Sequence, residues 1–92
     1  MSRRVRVLIE GEVQGVYFRD SATRRAREYE VGGWIRNLPD GRVEVVYEGE
    51  DDAVQAMIDW SWDGPDRAEV VNVQAIEEAP QGEEGFQILF ES

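Results

Sequence analysis

The sequence contains no cysteine, no histidine and no lysine. Without cysteine, disulfides, thiolate nucleophiles and thiolate metal sites are excluded, and the redox compartment stays open. Without histidine, Ser-His-Asp and Cys-His catalysis, phosphohistidine chemistry and the usual zinc sites are excluded. Without lysine no Schiff base can form, and all ten cationic side chains are arginine. No apolar run approaches membrane-spanning length. The opening Met1-Ser2-Arg3-Arg4-Val5-Arg6-Val7 enters a strand pattern directly, without the apolar stretch of a signal peptide. A cytoplasmic protein is the expectation. The chemical repertoire left is arginine, carboxylate, hydroxyl, amide and backbone.

What the chain has in excess is acid: 20 carboxylates against 10 arginines, a net charge of −10 on 92 residues. Nucleic acid and anionic membrane both need a basic footprint, so neither is expected as a partner. The length suits one small core, hence a single domain spanning residues 1–92, with a monomer as the default. An acidic field repels anionic ligands, and a local nest of cations is needed to offset it. Acid excess with no lysine fits a chain from a high-salt cytoplasm. An arginine-favouring genome behind an ordinary acidic protein is the alternative, and loss of the fold at low salt separates the two.

Hydrophobic periodicity gives the elements. Val5, Val7 and Ile9 alternate with Arg4, Arg6, Leu8 and Glu10, a half-buried strand over 4–10. Phe18, Ala22, Ala26 and Tyr29 fall on one stripe of a short helix ending before Gly32-Gly33, with Arg24, Arg25, Arg27 and Glu28 facing solvent. Residues 33–38 and 43–48 read as two strands joined by the hairpin chemistry of Pro39-Asp40-Gly41. Asp51 or Asp52 caps a second helix with Ala53, Val54, Met57, Ile58 and Ser61 inward, stopped by Asp63-Gly64-Pro65. Trp60 and Trp62 close the core or lean on the sheet edge. Residues 69–77 give a fourth strand, and 85–90 a short fifth with Phe86, Ile88 and Phe90 on one face. The order β-α-β-β-α-β plus a terminal strand is an α+β, ferredoxin-like pattern: an antiparallel sheet carrying two helices on one face. That superfold hosts many functions and selects none.

The stretch that carries chemistry is Gly11-Glu12-Val13-Gln14-Gly15-Val16-Tyr17-Phe18-Arg19, between the first strand and the first helix. Glycines reach positive φ at little cost, so a Gly-bounded loop can turn its N–H groups toward an oxyanion, and the helix N-terminus adds partial positive charge. Arg19 opposes that dipole unless an anion sits beside it, and its planar fork suits one. The alternative is that the glycines only turn the chain and Arg19 pairs with Asp20 or a distant carboxylate. The Walker and dinucleotide fingerprints are both absent. Residues 59–64 imitate the start of a calcium loop, but position twelve is Val70 and Gly64 is better read as a helix stop, so no metal site is assigned.

Two segments together resemble a known family. Residues 11–19 are similar to the G-x-V-Q-G-V-x-F/Y-R signature of acylphosphatases. Gly33-Trp34-Ile35-Arg36-Asn37, followed by Asp40-Gly41-Arg42-Val43, is similar to the second signature, G-W-V/I-x-N-x-x-D/N-G-x-V. The resemblance extends across essentially the whole chain. It implies hydrolysis of acyl phosphates to carboxylate and inorganic phosphate without metal or cofactor. It also implies that Arg19 and the backbone N–H groups of Val13, Gln14, Gly15 and Val16 hold the phosphoryl group, while Asn37 positions the attacking water. A carboxylate is a good leaving group and a phosphate oxygen can take the proton, so positioning and electrostatics suffice.

The chain departs from the pattern at Asp20 and Ala22, and at Asp66-Arg67-Ala68-Glu69 after Gly64-Pro65. These bear on substrate affinity and salt dependence. Competing expectations are a non-catalytic anion-binding module, which needs the loop and Arg19 but not Asn37, and the acylphosphatase-like domain of a larger carbamoyl-transfer protein, which the short length opposes. An RNA-binding sheet lacks both the charge and the aromatic pattern.

Overall fold

The computed structural model describes residues 2–90. The elements run β1 (Ser2–Glu12), α1 (Phe18–Glu28), β2 (Gly32–Asn37), β3 (Val43–Glu50), α2 (Asp51–Asp63), β4 (Glu69–Glu78) and β5 (Phe86–Ile88), in the expected ferredoxin-like order. Strands lie in the order β4-β1-β3-β2-β5, and both helices cover one face. On that face Val5, Val7 and Ile9 of β1 are fully buried against Phe18, Ala22 and Ala26 of α1 and Val54 and Met57 of α2. Each such valine or larger apolar side chain contributes ~1.5–3 kcal/mol relative to exposure. Tyr47 is the largest buried side chain, and its phenol oxygen lies 2.8 Å from Ser61 Oγ. Burial pushes that phenol well above its ordinary pKa.

The four strands of the core sheet pair antiparallel, but β5 runs parallel to β2, so the five-stranded sheet is mixed rather than antiparallel throughout. The reason is the path of the chain. It leaves β4 at one edge and re-enters at the opposite edge from the same end of the sheet. The segment 79–85 makes that crossing, fastened by Glu48, whose carboxylate accepts from the N–H of Gln81 at 3.0 Å and of Gly82 at 2.7 Å. Glu48 also receives Arg4 Nη1 at 2.9 Å.

Several local expectations shift. β1 runs on to Glu12, because β4 follows it past Glu10 with a change of register at Gly11. α1 stops at Glu28, so Tyr29 leaves the inward stripe for a cap position and is 44 % exposed. Glu50 rather than Asp51 or Asp52 precedes α2, and the two aspartates lie in its first turn, where the helix dipole favours them. Trp60 packs against Phe18, ring centroids 5.2 Å apart, whereas Trp62 stays half-exposed. Phe90 lies beyond β5 and is largely exposed instead of facing inward with Phe86.

Candidate functional site

The loop after β1, the start of α1 and the hairpin end of β2 meet at one end of the sheet. Val13 is buried in the core and Val16 packs against it, so the loop is pinned at both ends by apolar side chains. Between them Gly15 has φ 75° with nothing within 4 Å of where a Cβ would stand, and Tyr17 is also left-handed at φ 63°. Two left-handed residues so close together curl the loop before the helix begins, an arrangement that forms anion-receiving concavities. Among the described residues, no backbone acceptor takes the N–H of Gln14, Gly15, Val16 or Tyr17. Gly11 has a different role from Gly15. It lies within β1, and a Cβ there would stand 2.1 Å from Glu69 O, so glycine is needed for the close approach of β4.

The Gln14 side chain clamps the loop to the β2–β3 hairpin, its Nε2 donating to Leu38 O at 2.8 Å and Arg42 O at 2.9 Å. The hairpin itself is closed by Leu38 N to Arg42 O at 2.8 Å and by Asp40 accepting from the Arg42 backbone and guanidinium. That fixes Asn37, the last residue of β2, against the loop. Asn37 Oδ1 is buried and has no hydrogen-bond partner among the described residues, an unusual state for a buried amide. A half-turn about χ2 exchanges the oxygen for Nδ2, so the amide can present either a donor or an acceptor.

Val13, Gly15, Tyr17, Phe18, Arg19, Asp20 and Asn37 line a cavity of about 340 Å³. Of the residues singled out by sequence, Val13, Gly15, Arg19 and Asn37 therefore meet. Gln14 and Val16 border the same loop but turn their side chains to the hairpin and the core. Arg19 is half-buried, with its guanidinium carbon 5.3 Å from the centroid of the Phe90 ring. No described carboxylate pairs with it, Asp20 included.

This freedom extends along α1. Arg3, Arg4, Arg6, Arg36 and Arg42 all form ion pairs. Arg19, Arg24, Arg25 and Arg27, all on α1, pair with no described carboxylate, and neither does Arg67 between α2 and β4. Among the described residues, four cations without a carboxylate partner thus lie on the helix that borders the cavity, against Asp20 and Glu28 of the same helix, and the excess is the local positive field an anionic ligand requires. The clamp by Gln14, the left-handed Tyr17 and the lining by Phe18 were not anticipated from sequence, whereas the carboxylate of Asp20 was expected near the site and does line the cavity. The partners of Gln14 lie 24 and 28 residues away, beyond the reach of a local motif. Gly64 supports the site from behind: a Cβ there would approach Phe18 Cε2 to 2.7 Å.

Comparison with known proteins agrees with this geometry. Residues 5–88 match the acylphosphatase family model. The chain is 54 % identical over 88 residues to an acylphosphatase of Roseiflexus sp., covering 95 % of each sequence. It is 51 % identical over 88 residues to one from Rubrobacter xylanophilus, covering 95 % of this chain and 80 % of that protein. The solved structure of an acylphosphatase from Coxiella burnetii superposes with a TM-score of 0.92 at 36 % identity, over 96 % of this chain and 93 % of that one. Similarity of this extent, in sequence and in backbone, places the chain in the acylphosphatase family.

Proposed function

We propose that the protein hydrolyses the carboxyl–phosphate bond of small acyl phosphates, releasing a carboxylate and inorganic phosphate. The observation that carries the reading is the convergence, on one cavity, of an arginine without a described carboxylate partner, a left-handed loop and a half-buried amide whose oxygen has no described partner. Arg19 and the N–H groups of Val13, Gln14, Gly15 and Val16 bind the phosphoryl oxygens. Arg19 neutralises charge with a planar fork, and the loop donates without reorganising. Asn37 orients a water for in-line attack on phosphorus. The P–O bond to the acyl group breaks, the carboxylate leaves with the electron pair, and the water's proton passes to a phosphate oxygen. No histidine, thiol or cofactor is required for this sequence of events.

The buried amide oxygen favours this reading over a non-catalytic anion-binding module, which would have no use for an Asn37 Oδ1 held without a described protein partner. The net charge of −10 supports a small-molecule substrate rather than nucleic acid. The reading takes the chain as a monomeric, cytoplasmic, single-domain enzyme; among the described residues no helix is long and apolar enough to cross a membrane.

The test is hydrolysis of benzoyl phosphate with EDTA present, at low and multimolar salt, for the wild type, Arg19→Ala and Asn37→Ala. Arg19→Ala should abolish turnover while the fold survives. Asn37→Ala should lower kcat by about 10²–10³ and leave inhibition by inorganic phosphate close to wild type. Near wild-type turnover in Arg19→Ala would overturn the assignment.

A further inference from the structure

Beside the phosphate cavity lies a larger cleft of about 650 Å³ between α1 and the end of β5, and the two share Tyr17 and Asp20. We infer that this cleft receives the acyl group, and that it selects acyl phosphates bearing a second anionic group at the far end of an apolar chain. The inference rests on the hydrolase reading above.

Continuity with the phosphate cavity supplies the first argument. A phosphoryl group beside Arg19 leaves its acyl substituent next to Tyr17, which with Asp20 is common to both cavities. The chemistry along the cleft is also ordered. Tyr17, Ile88 and Phe90 give it an apolar wall near the phosphate end. Arg24 and Arg27 line it further along α1. At the helical rise they stand roughly 7 Å and 12 Å along the axis from Arg19. Asp20 sits at the shared mouth, so an anion close to the scissile bond is repelled, while one placed a helical turn or two away meets the arginines.

Partner status points the same way. Arg24 has no ion pair among the described residues, although the chain carries 20 carboxylates. Arg27 is held toward β5 by one hydrogen bond, Nη2 to Phe86 O at 3.0 Å, and its remaining donors have no partner among the described residues. Arg27 gains from the helix dipole in the last turn of α1, but Arg24 stands in mid-helix and completes no described protein contact that needs a charge. A distal carboxylate gives it a charged partner.

The probe pair is adipoyl monophosphate, which ends in a carboxylate, against hexanoyl phosphate, of equal chain length without it. The readout is the ratio of kcat/KM for the two, in the wild type, Arg24→Gln and Arg27→Gln. Arg24 is exposed and unpartnered, so its variant should fold normally. The expected result is a fall in the ratio of about fivefold in Arg24→Gln, the size of a solvent-exposed charge pair, with a fall also in Arg27→Gln. A ratio that does not fall in either variant overturns the inference. Turnover of acetyl phosphate by the wild type is measured alongside. Its presence with an unresponsive ratio removes the acyl-subsite inference alone, whereas its absence removes the hydrolase reading itself.

Discussion

Replacing Glu48 with glutamine probes the contact that routes the chain into β5, and so the wall of the acyl cleft. The Glu48 side chain is only 4 % exposed and receives Arg4 Nη1 at 2.9 Å, with the N–H groups of Gln81 and Gly82 at 3.0 and 2.7 Å. Glutamine preserves the volume but removes the charge and turns one acceptor into a donor. Breaking a buried pair by removing one partner costs about 3–5 kcal/mol. Here Arg4 keeps Glu78 at 2.9 Å, a carboxylate 29 % exposed, and the pair lies just beneath the uncovered face of the sheet. Both features place the loss lower, at about 2–3 kcal/mol, or about 10–20 °C in Tm for a domain of this size. The loss must also depend on pH. Burial raises the Glu48 pKa, but Arg4 and the N–H groups of Gly82 and Gln81 outweigh it and hold the carboxyl below its ordinary 4.5. A group depressed in the folded state contributes stability that is present above its unfolded pKa and lost as pH falls through the folded one. Urea titrations of wild type and variant at pH 7 and at about pH 3 measure both quantities. A difference below ~0.5 kcal/mol at pH 7, or one that persists undiminished into acid, would refute the reasoning.

Glycine substitutions should separate structural from catalytic roles. Gly33→Ala puts a Cβ 1.8 Å from Val46 O at φ 136° and should yield little folded protein, whereas Gly15→Ala meets no atom and should lose only about 1 kcal/mol while activity drops much further; a Gly15→Ala enzyme with full activity would contradict the loop's role. Gln14→Ala removes both hydrogen bonds to the hairpin and should cost about 1–2 kcal/mol together with a weaker inhibition constant for inorganic phosphate, measured by competition in the hydrolysis assay. With a net charge of −10, raising salt from about 0.05 to 1 M shortens the screening length several-fold, so Tm should rise; a flat or falling Tm across the series would set aside the high-salt expectation.

Much of the fold was legible because it rests on short-range periodicity. Val5, Val7 and Ile9 on one strand face, and Phe18, Ala22 and Ala26 on one helix face, are spacings any local reading finds, and all six are buried. Pro39-Asp40-Gly41 and Gly64 likewise mark their turn and helix end by residue type alone. The failures cluster where an element ends. Tyr29 fits the period of α1 but falls after its last turn, and Phe90 fits the period of β5 but extends past its partner strand. Periodicity says which face a residue would occupy; it does not say whether the element persists long enough to bury it.

The sequence by itself determined the repertoire of reaction chemistry, through its missing histidine, cysteine and lysine, and the order of elements, through its apolar spacing. Tertiary structure decided the rest. It brought Asn37 to the loop, since only the pairing of β2 with β3 and the Gln14 clamp carry residue 37 to residue 15. It divided the arginines into those that hold carboxylates and those, four of them along α1, with no carboxylate partner among the described residues, a division local pattern does not encode because partners such as Glu48 and Glu44 are set by strand register. It also turned β5 parallel to β2 and so opened the cleft against α1. Local interactions choose conformations residue by residue; where two distant charges meet, or fail to, is settled only when the sheet closes.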